Sequence, residues 1–148
     1  MIEVIREGNA AGDLQRMFTR LADFSDVLPD LGRLAVESLR KNIDESRTPD
    51  GVPYPPLKRP RPRGHNQDPK PLVDTGAMDG SIHFELRGTD AVFAGPSLDE
   101  SPYFPIQNQG AIHRGVPPRT FIGVRAEDED GIRSVIGKHI TLAFEVAA

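Results

Sequence analysis

Two segments in the first half of the chain have the hydrophobic spacing of amphipathic helices. Apolar residues recur three or four positions apart from Asp13 onward, and again from Pro29 to just before Thr48. The first stripe comprises Leu14, Met17, Phe18 and Leu21. The second, which includes one serine, comprises Leu31, Leu34, Ala35, Ser38, Leu39 and Ile43. The pair predicts a helical hairpin whose apolar faces pack against another element.

Alternation of apolar and polar residues replaces helical spacing at residues 81–87. In an extended strand, such alternation places the apolar side chains on one face. A turn at residues 88–90 and a short apolar run at 91–95 follow. Together the three segments predict a β-hairpin. Its apolar face would carry Ile82, Phe84 and Leu86.

The remaining segments carry weaker patterns. Short apolar runs predict a strand at residues 1–7 and an edge strand at 120–124, whereas residues 96–119, rich in proline and glycine, predict irregular structure. The acidic residues 127–130 are typical of a helix N-terminus, and the apolar stripe after them predicts a C-terminal helix. That stripe comprises Ile132, Val135, Ile136, His139, Ile140 and Ala143. These elements predict one domain over residues 1–148 of the α+β class, with amphipathic helices packed on a small, mostly antiparallel sheet.

A proline-rich segment at residues 49–71 separates the two halves of the chain. It holds eight of the fourteen prolines. Proline lacks a backbone N–H and fixes φ, so the segment is neither a helix interior nor a central strand. Because a loop of this length is unusual inside a compact domain, we predict a flexible arm at about residues 50–71. We expect residues 52–70 to be mobile in the free subunit.

Charge is distributed unevenly along the chain. The formal net charge is −4, yet residues 51–75 contain five lysines or arginines and only two acids. A basic arm on an acidic body suits either nucleic acid or the acidic flank of a second copy. The candidate nucleic-acid contacts are Lys58, Arg59, Arg61 and Arg63.

The polar residues form no motif typical of an enzyme. No histidine pair has metal-ligand spacing, and the sequence contains neither a GxSxG motif nor a phosphate-binding glycine loop. A metal-dependent hydrolase would have to rely on His65, Asp68 and Asp74, which lie in the proline-rich segment. There is no cysteine, and no segment approaches the roughly 20 apolar residues that span a bilayer. We therefore expect a non-enzymatic protein without a metal, a cofactor or a membrane partner.

Two clusters combine proline with anchoring side chains. In the first, a turn at residues 49–51 leads to Tyr54 and Leu57, which would pin one end of the arm. In the second, the proline pair at residues 117–118 precedes Arg119. Because a guanidinium donates several hydrogen bonds in a planar fork, we expect Arg119 to make an ordered contact.

The order of these segments resembles that in the phage virion morphogenesis family, the tail-completion proteins of Mu-type and related contractile-tailed phages. The resemblance covers residues 28–145 and rests on four motifs in order, PDGVPYPPLK, PLVDTGAMDGSI, SPYFPIQNQG and VPPRTFIGV. Matching positions outside the first motif are Leu72, Thr75, Gly76, Met78, Ser81, Ile82, Tyr103, Ile106, Gln107, Gly110, Pro117, Arg119, Phe121, Ile122 and Gly123. The sequence departs from the pattern at Tyr54, where tryptophan is common, and at Gln109, where an aromatic residue is frequent.

The resemblance implies a structural protein of virion morphogenesis. Such tail-completion proteins are similar in role to head–tail joining and tail-terminator subunits, which form rings, expected to be hexameric, at the head-proximal end of the tail. The implied partners are further copies of the chain, the tail tube or terminator and the head connector, with DNA as a potential contact in the lumen. Assembly would take place in the host cytoplasm, before incorporation into the neck or tail of the virion. The expected subunit or partner contacts are Tyr54, Leu57, Tyr103, Gln107, Pro117, Arg119 and Phe121.

Overall fold

The computed structural model describes residues 10–145, and the strand predicted at residues 1–7 lies outside them. The described elements are α1 (Ala10–Ala22), α2 (Leu28–Asp44), α3 (Ala77–Gly80), β1 (Ile82–Arg87), β2 (Ala91–Pro96), α4 (Phe104–Gln109) and α5 (Glu129–Glu145). Single 3₁₀ turns occupy Ile112–Arg114 and Ala126–Asp128. The predicted α+β class, the two N-terminal helices, the β-hairpin and the C-terminal helix are confirmed.

Helix α2 connects the two halves of the fold. It packs against both strands of the hairpin and also against α5, while α1 packs on α5. Gly32 lets α2 approach the hairpin closely, because a Cβ atom at this position would lie 2.4 Å from the Phe84 ring. The helix therefore needs glycine at the point where it crosses β1.

The hairpin contributes mainly its first residues to the core. Strands β1 and β2 are antiparallel, with Ile82 opposite Pro96 and Leu86 opposite Val92. Ile82 is 3% exposed, whereas Leu86 is 47% exposed. The predicted apolar face is therefore buried near the start of β1 and open to solvent near the turn.

A small set of apolar side chains from distant segments forms the core. It draws on α2, the beginning of the proline-rich segment, α3, β1 and the segment that precedes α5. Its buried members are Leu39, Ile43, Tyr54, Met78, Ile82 and Phe121. Three of the four sequence motifs thus contribute a core residue, so the motifs hold the fold together as well as lining its surface.

The predicted edge strand at residues 120–124 is wrong. The chain runs without strand pairing there, because side chains take the place of a neighbouring strand. The N–H groups of Phe121 and Ile122 donate to Asn108 Oδ1 at 2.9 and 3.1 Å. Asn42 Nδ2 donates to the carbonyl oxygens of Phe121 and Gly123 at 2.9 and 3.0 Å. Backbone groups that a ladder would satisfy are thus satisfied by two asparagines.

The expectation of irregular structure throughout residues 96–119 is also wrong in part. Helix α4 and one of the 3₁₀ turns lie in this segment. A proline stands in the first turn of α4, where its missing N–H has no intrahelical partner to lose. Proline content therefore signals a helix start here rather than the absence of a helix.

The proline-rich segment contains neither a helix nor a regular strand, and it closes on itself. The Arg61 guanidinium donates to the carbonyl oxygens of Asn66 at 3.2 Å, of Asp68, and of Lys70 at 2.7 Å. Lys70 Nζ in turn lies 2.7 Å from Asp44 Oδ1 on α2. The segment is thus a loop tied to the body, and its mobility in the free subunit stays a prediction.

Candidate functional site

The four sequence motifs meet at one cavity of about 460 Å³. Each motif, separated from the others along the chain, contributes at least one wall residue. The motif residues that form its walls include Leu57, Leu72, Met78, Tyr103, Gln107 and Arg119. Four of the predicted contact residues, namely Leu57, Tyr103, Gln107 and Arg119, are therefore brought together by the fold.

Arg119 is held in place from three directions. Its backbone N–H donates to the carbonyl oxygen of Gln107 at 2.9 Å, which fixes it to the end of α4. Its Nε donates to the carbonyl oxygen of Pro55 at 2.9 Å, and Nη2 donates to that of Pro56 at 3.0 Å. The residue is only 5% exposed. Arg119 therefore holds the start of the proline-rich loop against α4. This is an ordered contact of the kind that the sequence predicted for Arg119.

The electrostatic environment of Arg119 is unfavourable for its own charge. Burial lowers the pKa of Arg119, and the nearby positive charge of Arg61 lowers it further. Among the described residues, no carboxylate lies within 4.0 Å of the Arg119 guanidinium. Within residues 10–145, the hydrogen-bond acceptors of the guanidinium are the two backbone carbonyl groups of Pro55 and Pro56.

Two carboxylates also line the cavity. Asp74 accepts the N–H of Asn66 at 3.1 Å and lies 2.6 Å from His65 Nδ1, and the His65 hydrogen bond holds the pKa of Asp74 below its usual value. Asp74 Oδ1 lies 3.9 Å from Arg61 Nε, so the negative charge of Asp74 is paired with Arg61 rather than with Arg119. Glu100 is exposed and forms no ion pair within the described part of the chain.

A comparison of the sequence with models of protein families identifies the family to which these motifs belong. The model of the phage virion morphogenesis family matches residues 8–141, which include all four motifs and every residue of the cavity. The chain belongs to the phage virion morphogenesis family. Neither the curated proteins nor the solved structures contain a match to it.

Two of the predicted contact residues of this family member belong to the core. Tyr54 is 6% exposed and Phe121 is fully buried. Both side chains therefore pack in the core beneath the motif residues and do not form part of the surface. Burial raises the pKa of Tyr54, whose hydroxyl has no hydrogen-bond partner among the described residues. Pro117 is half-buried and does not line the cavity.

The four candidate nucleic-acid contacts divide into two pairs. Lys58 Nζ donates to the carbonyl oxygen of Gly115 at 2.7 Å, and Arg61 is occupied by the carbonyl groups of its own loop. Arg59 and Arg63 are exposed and form no ion pair within residues 10–145. The structure therefore leaves two of the four basic side chains free for a partner.

Sequence reasoning missed the polar network that positions the fourth motif. Arg125 is 7% exposed, and its Nε donates to Asn42 Oδ1 at 2.7 Å. Its Nη1 lies 2.7 Å from Glu45 and 3.1 Å from Glu127, and these hydrogen bonds raise the pKa of Arg125 although burial alone would lower it. A usable signal was present, because Ser38 and Asn42 are polar residues four positions apart on the apolar face of α2.

The histidines do not form a metal site in the described part of the chain. Within residues 10–145, no group of three or more histidine, aspartate or glutamate side chains is arranged to hold a metal ion. His139 is 1% exposed, with Nδ1 lying 3.0 Å from Asp26 Oδ1 and its ring 4.5 Å from that of Phe24. It is a buried residue that contacts a carboxylate and an aromatic ring. No helix in this range is long and apolar enough to cross a membrane.

Proposed function

We propose that this protein is a structural subunit that forms a ring at the head-proximal end of the phage tail, as a tail-completion or head–tail joining protein. The observation that carries the proposal is the match to the phage virion morphogenesis family over residues 8–141. Membership of this family implies a role in virion morphogenesis. The position at the neck of the virion is what we propose in addition.

The surface of the subunit supports assembly with further copies. Large apolar side chains on α1 and α5 are open to solvent, with Leu14 52%, Phe18 61% and Phe144 55% exposed. The motif cavity lies on other elements of the chain. Two different patches on one subunit are what a closed ring requires, since each copy presents one patch to each neighbour.

The proline-rich loop is proposed to become fully ordered only on assembly. Ordering a mobile segment at that step would delay contacts with the tail until a neighbour is present. Trypsin should then cleave the isolated subunit after the exposed Arg63, which precedes Gly64. Protection of this bond in the isolated subunit would contradict the proposed mobility.

The proposed partners follow from the position at the neck. They are other copies of the chain, expected to be six in all, the tail tube or terminator protein on one side and the head connector on the other. Assembly would take place in the host cytoplasm. DNA would pass through the lumen, where Arg59 and Arg63 are the free basic side chains.

Binding of nucleic acid as the main function is the weaker proposal, because Lys58 and Arg61 already bind backbone carbonyl groups. It predicts an affinity for duplex DNA that falls steeply with salt and is lost in a variant with alanine at all four basic positions. A ring subunit with an incidental lumen contact should lose assembly function less than DNA affinity in that variant.

The position at the neck is tested by adding labelled protein to tails assembled without it. Immunogold electron microscopy should find the label at the head-proximal tip of the tail. Label at the opposite end, or along the length of the tube, would contradict the proposed position and leave only a general role in virion morphogenesis. A heat-denatured sample of the same protein is the control for nonspecific attachment.

A further inference from the structure

The motif cavity contains an arginine whose hydrogen bonds are incomplete. Arg119 uses Nε and Nη2 to bind the carbonyl groups of Pro55 and Pro56. Its Nη1 has no hydrogen-bond acceptor among residues 10–145, although the side chain is nine-tenths buried and lines the cavity. One edge of the guanidinium is therefore fixed by the protein and the other is available to a ligand.

An anion would stabilise the positive charge of Arg119 more than another neutral hydrogen-bond acceptor would. Carbonyl oxygens satisfy N–H groups, but a buried cation without a counter-charge remains costly. The carboxylates that line the cavity do not supply that charge, because Asp74 is bound to His65 and Asn66 and the side chain of Glu100 lies in solvent. A carboxylate is the acceptor that best matches the guanidinium fork.

The rest of the cavity wall favours a protein side chain over a free ion. Leu57, Leu72, Met78 and Tyr103 add apolar and aromatic surface to the wall of the cavity that Arg119 lines. A carboxylate carried on an aliphatic stem would bury its methylene groups against these residues and place its oxygens at Arg119. A simple inorganic anion would use only the guanidinium.

We propose that the cavity receives an aspartate or glutamate side chain from a second copy of this chain, and that Arg119 binds its carboxylate. This inference rests on the ring-forming function proposed above, and it names the contact that joins neighbouring copies. The charge complementarity lies between Arg119, the arginine of the cavity that forms no ion pair within residues 10–145, and a chain with a net charge of −4.

The proposed donor is Asp130, because the three acidic residues before it are already paired within the subunit. Glu127 and Asp128 are already paired within the subunit, with Arg125 at 3.1 Å and Lys41 at 2.8 Å. Asp130 is exposed and forms no ion pair in the described part of the chain. It does not line the cavity, so a contact between the two would be heterologous, as a ring requires.

Self-association of the full-length chain tests the pairing. Sedimentation velocity over a range of concentrations should show that Asp130→Asn and Arg119→Gln each weaken association by about tenfold, typical of a lost charge-assisted hydrogen bond. The double variant should be no weaker than either single variant, because both remove the same contact. Asp90→Asn, which removes an exposed carboxylate of the hairpin turn outside the cavity, is the matched control and should not weaken association. Association equal to that of the unmodified protein in Asp130→Asn and in folded Arg119→Gln would overturn the proposal.

Direct binding of a small carboxylate keeps the proposal testable if Arg119→Gln does not fold. The arginine Nε–H resonances of the full-length protein are followed by NMR during titration with sodium acetate, with sodium chloride at equal ionic strength as control. The expected result is a saturable shift at Arg119 with acetate only. No acetate-specific shift would overturn the carboxylate site.

The outcomes separate this inference from the proposed function. Rings that form equally well in Asp130→Asn and in the control Asp90→Asn, without an acetate-specific shift at Arg119, would overturn the cavity contact and leave the ring-forming role intact. A wild-type protein that stays monomeric would overturn both the ring and the second copy as occupant, even if acetate binds Arg119.

Discussion

The two sides of α2 differ in how completely they are packed. On one side, the hairpin and the segment before α5 bury Ile82 and Phe121 to 3% and 0% exposure. On the other, the layer of α1 and α5 leaves Phe18 61% and Phe144 55% exposed. The first side, which we call the motif side, contains the buried apolar cluster, although Leu86 and Ile112 at its edge are 47% and 95% exposed. The second, the helical layer, has apolar surface of a kind that usually marks a contact with another protein.

The polar groups follow the same division. On the motif side, Asn42, Asn108 and Arg125 satisfy the backbone or one another through specific hydrogen bonds. On the helical layer, buried His139 pairs with Asp26, whereas the pair of Arg133 with Glu129 is exposed and contributes little to stability. The buried polar network that links α2 to the segment before α5 therefore lies on the motif side.

Asn42→Ala should have the largest effect on stability. The side chain is fully buried and binds the carbonyl groups of Phe121 and Gly123 as well as Arg125. Its removal leaves buried groups without partners, so we expect a loss of about 3 kcal/mol or more in the free energy of unfolding. Chemical denaturation measures it, with the exposed Gln15→Ala on α1 as control. A loss as small as that of the control would show that the network does not hold the motif side together.

Much of this architecture follows from local patterns, and part of it does not. The helices and the hairpin were predictable because their apolar spacing is a property of nearby residues. The convergence of Leu57, Tyr103 and Arg119 on one cavity was not predictable from spacing, because it depends on contacts between residues far apart in the chain. The edge strand was mispredicted because a short apolar run looks the same whether asparagine side chains or a strand satisfies its backbone.

Alanine substitutions at two helix glycines, Gly32 and Gly137, should have the second-largest effects on stability, and the two effects should be opposite in sign. At Gly32 a Cβ atom would lie 2.4 Å from the Phe84 ring, so Gly32→Ala should cost about 1–3 kcal/mol through overpacking. At Gly137 in α5 a Cβ atom would meet no described atom within 4 Å, so Gly137→Ala should stabilise by up to about 1 kcal/mol through helix propensity. Thermal unfolding of both variants provides the test, and effects of the same sign would contradict the difference in packing.

The acid sensitivity of the fold should depend on Asp128. Burial alone would raise its pKa, but the hydrogen bonds from Lys41 and Ser38, together with the positive charges of Lys41 and Arg125, hold the pKa below its usual value. A lowered folded-state pKa means that the contribution to stability is complete above the unfolded value and is lost as pH falls through the folded value. Asp128→Asn should therefore reduce stability at neutral pH and flatten its decline in acid.

Chemical denaturation measured between neutral pH and about pH 2 gives the free energy of unfolding as a function of pH for the unmodified protein and for Asp128→Asn. Asp50→Asn is the control, because Asp50 is exposed and forms no ion pair in the described residues. Parallel curves for the unmodified protein and Asp128→Asn would mean that the ion pair with Lys41 does not contribute to the pH dependence.

Phe18→Ser should have the smallest effect on stability and a clear effect on assembly. The side chain is 61% exposed, so the free energy of unfolding should change by about 0.5 kcal/mol or less. If the helical layer forms one side of the subunit contact, self-association should weaken. Gln15→Ser on the same helix is the matched control, since it makes a similar change in helix propensity without removing apolar surface. Equal association of the two variants would exclude Phe18 from the contact.

The most direct test of the account is the mass of the full-length protein in solution, measured by light scattering, with negative-stain images of the same peak. Because the helical layer and the motif cavity are taken to be the two halves of one contact, the account predicts a closed ring that dissociates on dilution. A strict monomer at the highest accessible concentration, with Phe18 and Phe144 still exposed to solvent, would contradict it.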